Sequence, residues 1–107
     1  MERKSGHDRD ELQNELTRKL SKLLRIEREY QMSQESLSER ILCSRASISR
    51  MESGRNIRSE FLIAALTELD LAEHFIALID SLLAEPPAKR ARDERQRRVD
   101  AIMAPYQ

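Results

Sequence analysis

The chain has 107 residues, with 19 Lys and Arg balanced by 19 Asp and Glu, 39% apolar residues and only 4% aromatic ones. That length holds one domain's worth of sequence, and two glycines and three prolines are too few for the turns of a many-stranded sheet, so an all-α fold is expected. A net charge of zero does not by itself announce a nucleic-acid partner, and with 36% charged residues and a mean hydropathy of −0.67 the chain is expected to be soluble.

Residues 1–9 are polar and are expected to form a flexible N-terminus. From Asp10, apolar residues at Leu12, Leu16, Leu20, Leu23, Leu24 and Ile26 recur at steps of three and four, the period of an amphipathic helix. Its acids lie early (Asp10, Glu11) and its bases late (Lys19, Lys22, Arg25, Arg28), the order that suits the helix dipole. Tyr30 and Met32 follow as core residues at its exit. Ser33 is a good N-cap for a short second helix reaching about Arg40, which buries Leu37 and Ile41. Cys43 is a small apolar filler. Ser44 caps a third helix, Arg45 to Glu52, with Ile48 and Met51 as its apolar pair and Gly54 as its terminator. Ser59 is expected to cap a fourth helix carrying Phe61, Leu62, Ala65, Leu66 and Leu69. Asp70 marks a turn, and a fifth helix carries Leu71 to Leu83 until Pro86-Pro87 stops it. The basic stretch Lys89 to Arg98 has too little apolar content to order itself alone, whereas Val99, Ile102, Met103 and Tyr106 restore a weak helical spacing that suits docking on a partner.

Charge is segregated along the chain. Residues 33–58 carry five arginines against three glutamates, residues 61–85 carry five acids and no base, and residues 86–107 carry six bases against three acids. Phosphate repels the acidic block, which is therefore expected to face away from any DNA that the first block touches. Little else in the chain supports chemistry. Two histidines (His7, His74), one cysteine and no HExxH or CxxC make a metal site unexpected, and no glycine-rich phosphate loop is present. No enzymatic activity and no cofactor are expected. A lone cysteine fits a reducing compartment, the start of the chain shows no signal-peptide pattern, and no apolar run approaches about 18 residues, so a cytoplasmic location and no membrane partner are expected.

The informative stretch is Ser33 to Arg58. It reads as helix, tight turn, helix, locked by Leu37, Ile41, Cys43, Ile48 and Met51. The outward residues of the second helix are then Arg45, Ala46, Ser47, Ser49 and Arg50, with no acid among them. Arginine forks onto guanine, and serine is short enough for the backbone to approach the major groove. The N-termini of both helices, the second capped by Ser44, offer backbone N–H groups to phosphates.

This stretch, from Gln34-Glu35-Ser36-Leu37-Ser38-Glu39-Arg40 through Ser44-Arg45-Ala46-Ser47-Ile48-Ser49-Arg50-Met51-Glu52-Ser53-Gly54, resembles the helix-turn-helix of the Cro/CI-like (XRE) family. With its flanking helices the resemblance covers roughly residues 20–70. It implies that Gln34 contacts phosphate, that Arg45, Ala46, Ser49 and Arg50 face the groove, and that Arg55, Asn56 and Arg58 contact the DNA backbone. Three positions depart from the family pattern. Leu42 stands where the turn usually has Gly, so a differently built turn is expected. Ser38 replaces the usual Ala. Glu27 occupies the place of an arginine that usually pairs with the acid matching Glu52, so that ion pair is not expected here.

Residues 61–85 are too apolar for the surface of a small monomer. Either they pack under the DNA-binding unit, or Phe75, Ile76, Ile79, Leu82 and Leu83 form a symmetric dimer interface, the reading preferred here. The expected architecture is thus a dimeric five-helix domain over residues 10–85, for DNA binding and dimerisation, with a basic tail at 86–107. The acidic apolar helix, Pro-Pro stop and Arg-rich tail also resemble HipB-type antitoxins, which repress their own operon and hold a HipA-like kinase toxin, in some arrangements together with a further small protein. The function this implies is a sequence-specific operator-binding repressor on the antitoxin side of a toxin–antitoxin operon. The alternatives are a stand-alone regulator of a phage or mobile element, and an interaction adaptor whose helix-turn-helix no longer reads DNA.

Overall fold

The computed structural model describes the backbone of residues 2–103 and the side chains of residues 9–101. It contains six helices among the described residues: α1 (Glu2–Gln31), α2 (Gln34–Arg40), α3 (Arg45–Glu52), α4 (Ser59–Glu68), α5 (Ala72–Ala84) and α6 (Pro87–Met103). The chain divides into two units, Met1–Glu73 and His74–Gln107.

The first unit is built on the buried side chains Leu24, Leu37, Ile48, Met51, Ala65, Leu66, Leu69 and Leu71. α1 supplies this core from one narrow stripe, Ser21, Leu24 and Arg28, spaced by three and four residues. The leucine line read from the sequence is not the packed face: Leu12 and Leu16 are about two-thirds exposed, Ile26 and Tyr30 are exposed, and Leu20 and Leu23 are half-buried. Periodicity alone cannot distinguish a leucine stripe from a neighbouring stripe of small and charged residues when the latter meets the partner helix.

Both helices of the central pair start on a serine cap. The Ser33 hydroxyl accepts from the Ser36 N–H at 3.0 Å, and the Ser44 hydroxyl from the Ser47 N–H at 3.0 Å. Between them Leu42 sits at φ +59°, the left-handed conformation, while the Cys43 N–H reaches back to the Ser38 carbonyl at 3.0 Å. The turn is therefore built as it would be with glycine, against the expectation of a different construction. The buried anchors Leu37 and Ile48 on either side fix its path, and Leu42 itself is 88% exposed. Beyond α3, Gly54 adopts φ +77° and the Arg55 N–H closes onto the Arg50 carbonyl at 2.8 Å, a helix-ending turn. Asn56 (φ +50°) and Asp70 (φ +62°) take the same conformation, which their short polar side chains tolerate. Arg58, not Ser59, occupies the N-cap of α4, with no side-chain hydrogen bond to the helix.

In the second unit the basic tail is helical, contrary to the sequence expectation, and this raises the helix count from five to six. Pro87 starts α6 at the first helical position, where an N–H would have no intrahelical acceptor, and the Arg90 N–H bonds the Pro86 carbonyl at 3.1 Å. Lys89 then pairs with Glu85 and Asp93, Arg98 with Glu94, and the Gln96 amide donates to Asp100, all four residues apart. These local pairs support a helix that has almost no apolar face. Val99 is exposed, and the side chains of Ile102, Met103 and Tyr106 lie outside the described residues. No residue of α5 is buried.

Leu42→Gly removes a left-handed strain of about 1–2 kcal/mol and costs part of that gain in chain entropy. It is expected to raise stability by up to about 1 kcal/mol in a urea unfolding curve; a loss of stability would show that the leucine is held by contacts its exposure does not reveal.

Candidate nucleic-acid interface

α3 has one face in the core and one in solvent. Ile48 and Met51 are buried, while Arg45, Ala46, Ser49 and Arg50 are exposed. Ser44 is exposed and Ser47 half-buried; their hydroxyls lie 2.9 Å apart and serve the helix cap. The Arg50 guanidinium reaches the Ser47 hydroxyl at 3.4 Å. The expected set is thus split: four side chains present themselves to solvent, and the two serines at the start of the helix are engaged with each other.

A hydrogen-bonded chain joins three helices beneath this face. Arg28 of α1 forks onto Glu52 at the end of α3, its Nε donating to Oε2 at 2.6 Å and its Nη2 to Oε1 at 3.0 Å. The pair is deep, with side-chain exposures of 10% and 5%. Arg28 Nη1 also donates to the Met32 carbonyl at 3.1 Å. The bond to Glu52 is the main cause that pushes the Arg28 guanidinium pKa up, against an opposing desolvation. Gln34, at the start of α2, donates through Nε2 to Glu52 Oε1 at 3.0 Å and accepts through Oε1 from Arg45 Nε at 3.4 Å. The chemistry fixes this amide orientation, because a carboxylate only accepts and a guanidinium only donates. Gln34 keeps one amide N–H available, and Arg45 keeps its terminal nitrogens.

The ion pair was unexpected because Glu27 occupies the position read as its partner. The structure uses the next residue, Arg28, which lies four positions after buried Leu24 and hence on the packed stripe. That spacing was the available signal.

The loop after α3 adds a second cluster. Ser47, Arg50, Met51, Asn56, Arg58 and Phe61 line one depression beside the helix. Arg55, Asn56 and Arg58 are all exposed. Arg55 Nε donates to the Ser53 hydroxyl at 3.2 Å, and the Arg58 guanidinium lies 5.3 Å over the Phe61 ring while pairing with Glu60 at 3.2 Å. The structure therefore brings Arg50 of the helix together with Asn56 and Arg58 of the loop. Of the residues assigned to a dimer interface, Ile76, Ile79, Leu82 and Leu83 are exposed and Phe75 is half-buried.

Among the described residues no cluster of three metal-ligating side chains occurs, and no helix is long and apolar enough to cross a membrane. Cys43 is half-buried, and desolvation pushes its thiol pKa up, the opposite of what a redox-sensing thiolate needs.

The family model described as a helix-turn-helix domain matches residues 15–92, more than half of the chain. No curated protein and no solved structure matches it.

Removing Glu52 leaves the Arg28 guanidinium buried without its counter-charge. Glu52→Leu is expected to cost about 3–5 kcal/mol in chemical denaturation, and the double change Arg28→Met/Glu52→Leu to recover most of it. A single variant that unfolds like the parent would refute the pair's structural role. Cys43 is expected to alkylate with iodoacetamide at pH 7 more slowly than a free cysteine peptide; faster alkylation would contradict its raised pKa.

Proposed function

The chain belongs to a helix-turn-helix family of the Cro/CI (XRE) type, and on that footing we propose that it is a sequence-specific transcriptional repressor that binds duplex operator DNA through α3. One observation carries the reading: the exposed face of α3 consists of Arg45, Ala46, Ser49 and Arg50, without an acid, while Ile48 and Met51 on the opposite face are buried. Arg45 and Arg50 contact guanine edges in the major groove, and Ala46 and Ser49 allow the helix to approach. Gln34 gives its remaining amide N–H to a phosphate. Arg55, Asn56 and Arg58 hold the neighbouring strand, and the Ser44 cap presents the start of α3 to the backbone.

The repressor acts as a homodimer in the cytoplasm. Ile76, Ile79, Leu82 and Leu83 supply the apolar surface for this, supported by their exposure on a helix with no buried residue. Two recognition helices about 34 Å apart then match half-sites one helical turn apart. Repression is steric, by occupancy of the operator. The acidic apolar α5 followed by the basic α6 also supports placing the protein on the antitoxin side of a toxin–antitoxin operon, with a kinase toxin as protein partner.

The test starts from duplexes selected out of a randomised pool by the full chain. Arg45→Ala and Arg50→Ala are each expected to weaken binding by about 1–3 kcal/mol and to relax preference at one base pair. Equal affinity of parent and both variants for every duplex would overturn direct readout, and absence of any salt-dependent DNA binding would favour an adaptor role.

A further inference from the structure

A cleft in the first unit lies between α1 and the end of α3, and it is not part of the surface described above. Arg18, Lys22 and Arg25 of α1 line it together with Ser21, Ser53 and Gly54. All three cations are exposed, and none pairs with a carboxylate among the described residues. The one acid in the lining, Glu52, is already occupied by Arg28 and Gln34, so its charge is compensated. The carbonyls ending α3 are capped by the N–H groups of Ser53, Gly54 and Arg55. Arg18, Lys22 and Arg25 follow one another at steps of four and three along α1, so three like charges border the cleft and favour an anion there.

A second observation points the same way. Ser21 is only 4% exposed, and its hydroxyl has no hydrogen-bond partner. It lies at the cleft beside Gly54, where a Cβ would stand 3.4 Å from the hydroxyl and 3.4 Å from the Thr17 methyl. A left-handed glycine keeps that wall low. The Ser53 hydroxyl gives its proton to the Ser49 and Arg50 carbonyls at 3.0 and 3.1 Å, so the donors left for a ligand are the three cations and the unpartnered Ser21 hydroxyl. Guanidinium forks pair bidentately with phosphate oxygens.

We propose that this cleft is a binding site for one phosphate group, carried either by the DNA backbone beyond the half-site or by a free phosphorylated small molecule. The site adjoins the loop through Ser53, whose hydroxyl accepts from Arg55, so a backbone phosphate held here extends the contact surface along the strand. The inference does not require α3 to read bases, and its two sources separate by experiment.

The full chain and its Arg18→Gln/Lys22→Gln/Arg25→Gln variant are compared in two arms. In the first, inorganic phosphate is titrated at constant ionic strength, with chloride as control, while the amide signals of Ser21 and Gly54 are followed. In the second, affinity is measured across salt for a selected duplex and for the same duplex with long flanks. A backbone source predicts that flanks steepen the salt dependence of the parent by about one phosphate contact per cleft, near tenfold in affinity at 0.1 M salt, and that the variant loses this gain. A free-phosphate source predicts saturable shifts in the parent that are absent from the variant, with no effect of flanks. Arg45→Ala lowers affinity for both duplexes alike, so failure of base readout is distinguishable from failure of the cleft. Lys22→Gln alone gives the same comparison at smaller amplitude should the triple change unfold. Identical behaviour of parent and variant in both arms overturns the proposal.

Discussion

The carboxylate of Glu52 is the point on which the arrangement rests. It sits at the end of α3, is almost wholly buried, and takes three donated bonds from two other helices. A charge in that position demands a counter-charge with matching geometry, and Arg28 supplies the fork. Because Gln34 shares the same carboxylate and holds Arg45 with its other end, the far side of α3 is tied to α1 through a continuous chain of bonds. The orientation of the exposed face is thus set electrostatically as well as by the apolar packing of Ile48 and Met51.

Strain is tolerated where that packing demands it. Leu42 holds a left-handed conformation without burying its side chain. The cost is local, whereas the alternative displaces Leu37 or Ile48, each of which is nearly inaccessible. The cap serines follow the same logic from the other direction. Ser44 and Ser47 stand at the start of α3, and their hydroxyls are engaged in making the helix begin there.

Much of this was legible in the sequence. The serines that begin α2 and α3, the glycine that ends α3 and the apolar pair Ile48 and Met51 follow from capping and periodicity, and the structure has them in those roles. Four features were not legible, for physical reasons. The packed face of α1 is made of Ser21, Leu24 and Arg28, and a stripe containing one leucine carries a weaker apolar signal than the exposed leucines beside it. The Arg28–Glu52 pair was hidden because Glu27, next to it, shifted the apparent register by one residue. The helix at the basic tail has little apolar signal and is supported by the four-residue ion pairs around Lys89 and Arg98. The candidate site was the easier part, since residue type alone marks an arginine and serine face opposite an apolar one. The cleft beside Gly54 was not legible, because it joins residues of α1 to residues after α3 across a contact that no local pattern encodes.

The central claim is that arginines on α3 contact guanine edges directly. Methylation of guanine N7 blocks the acceptor that such an arginine uses, so the most direct measurement is methylation interference on a selected duplex with the full chain. The account predicts lost binding at a small set of guanines grouped about one helical turn apart, with part of that set insensitive in Arg50→Ala. Binding that survives methylation at every guanine would contradict it.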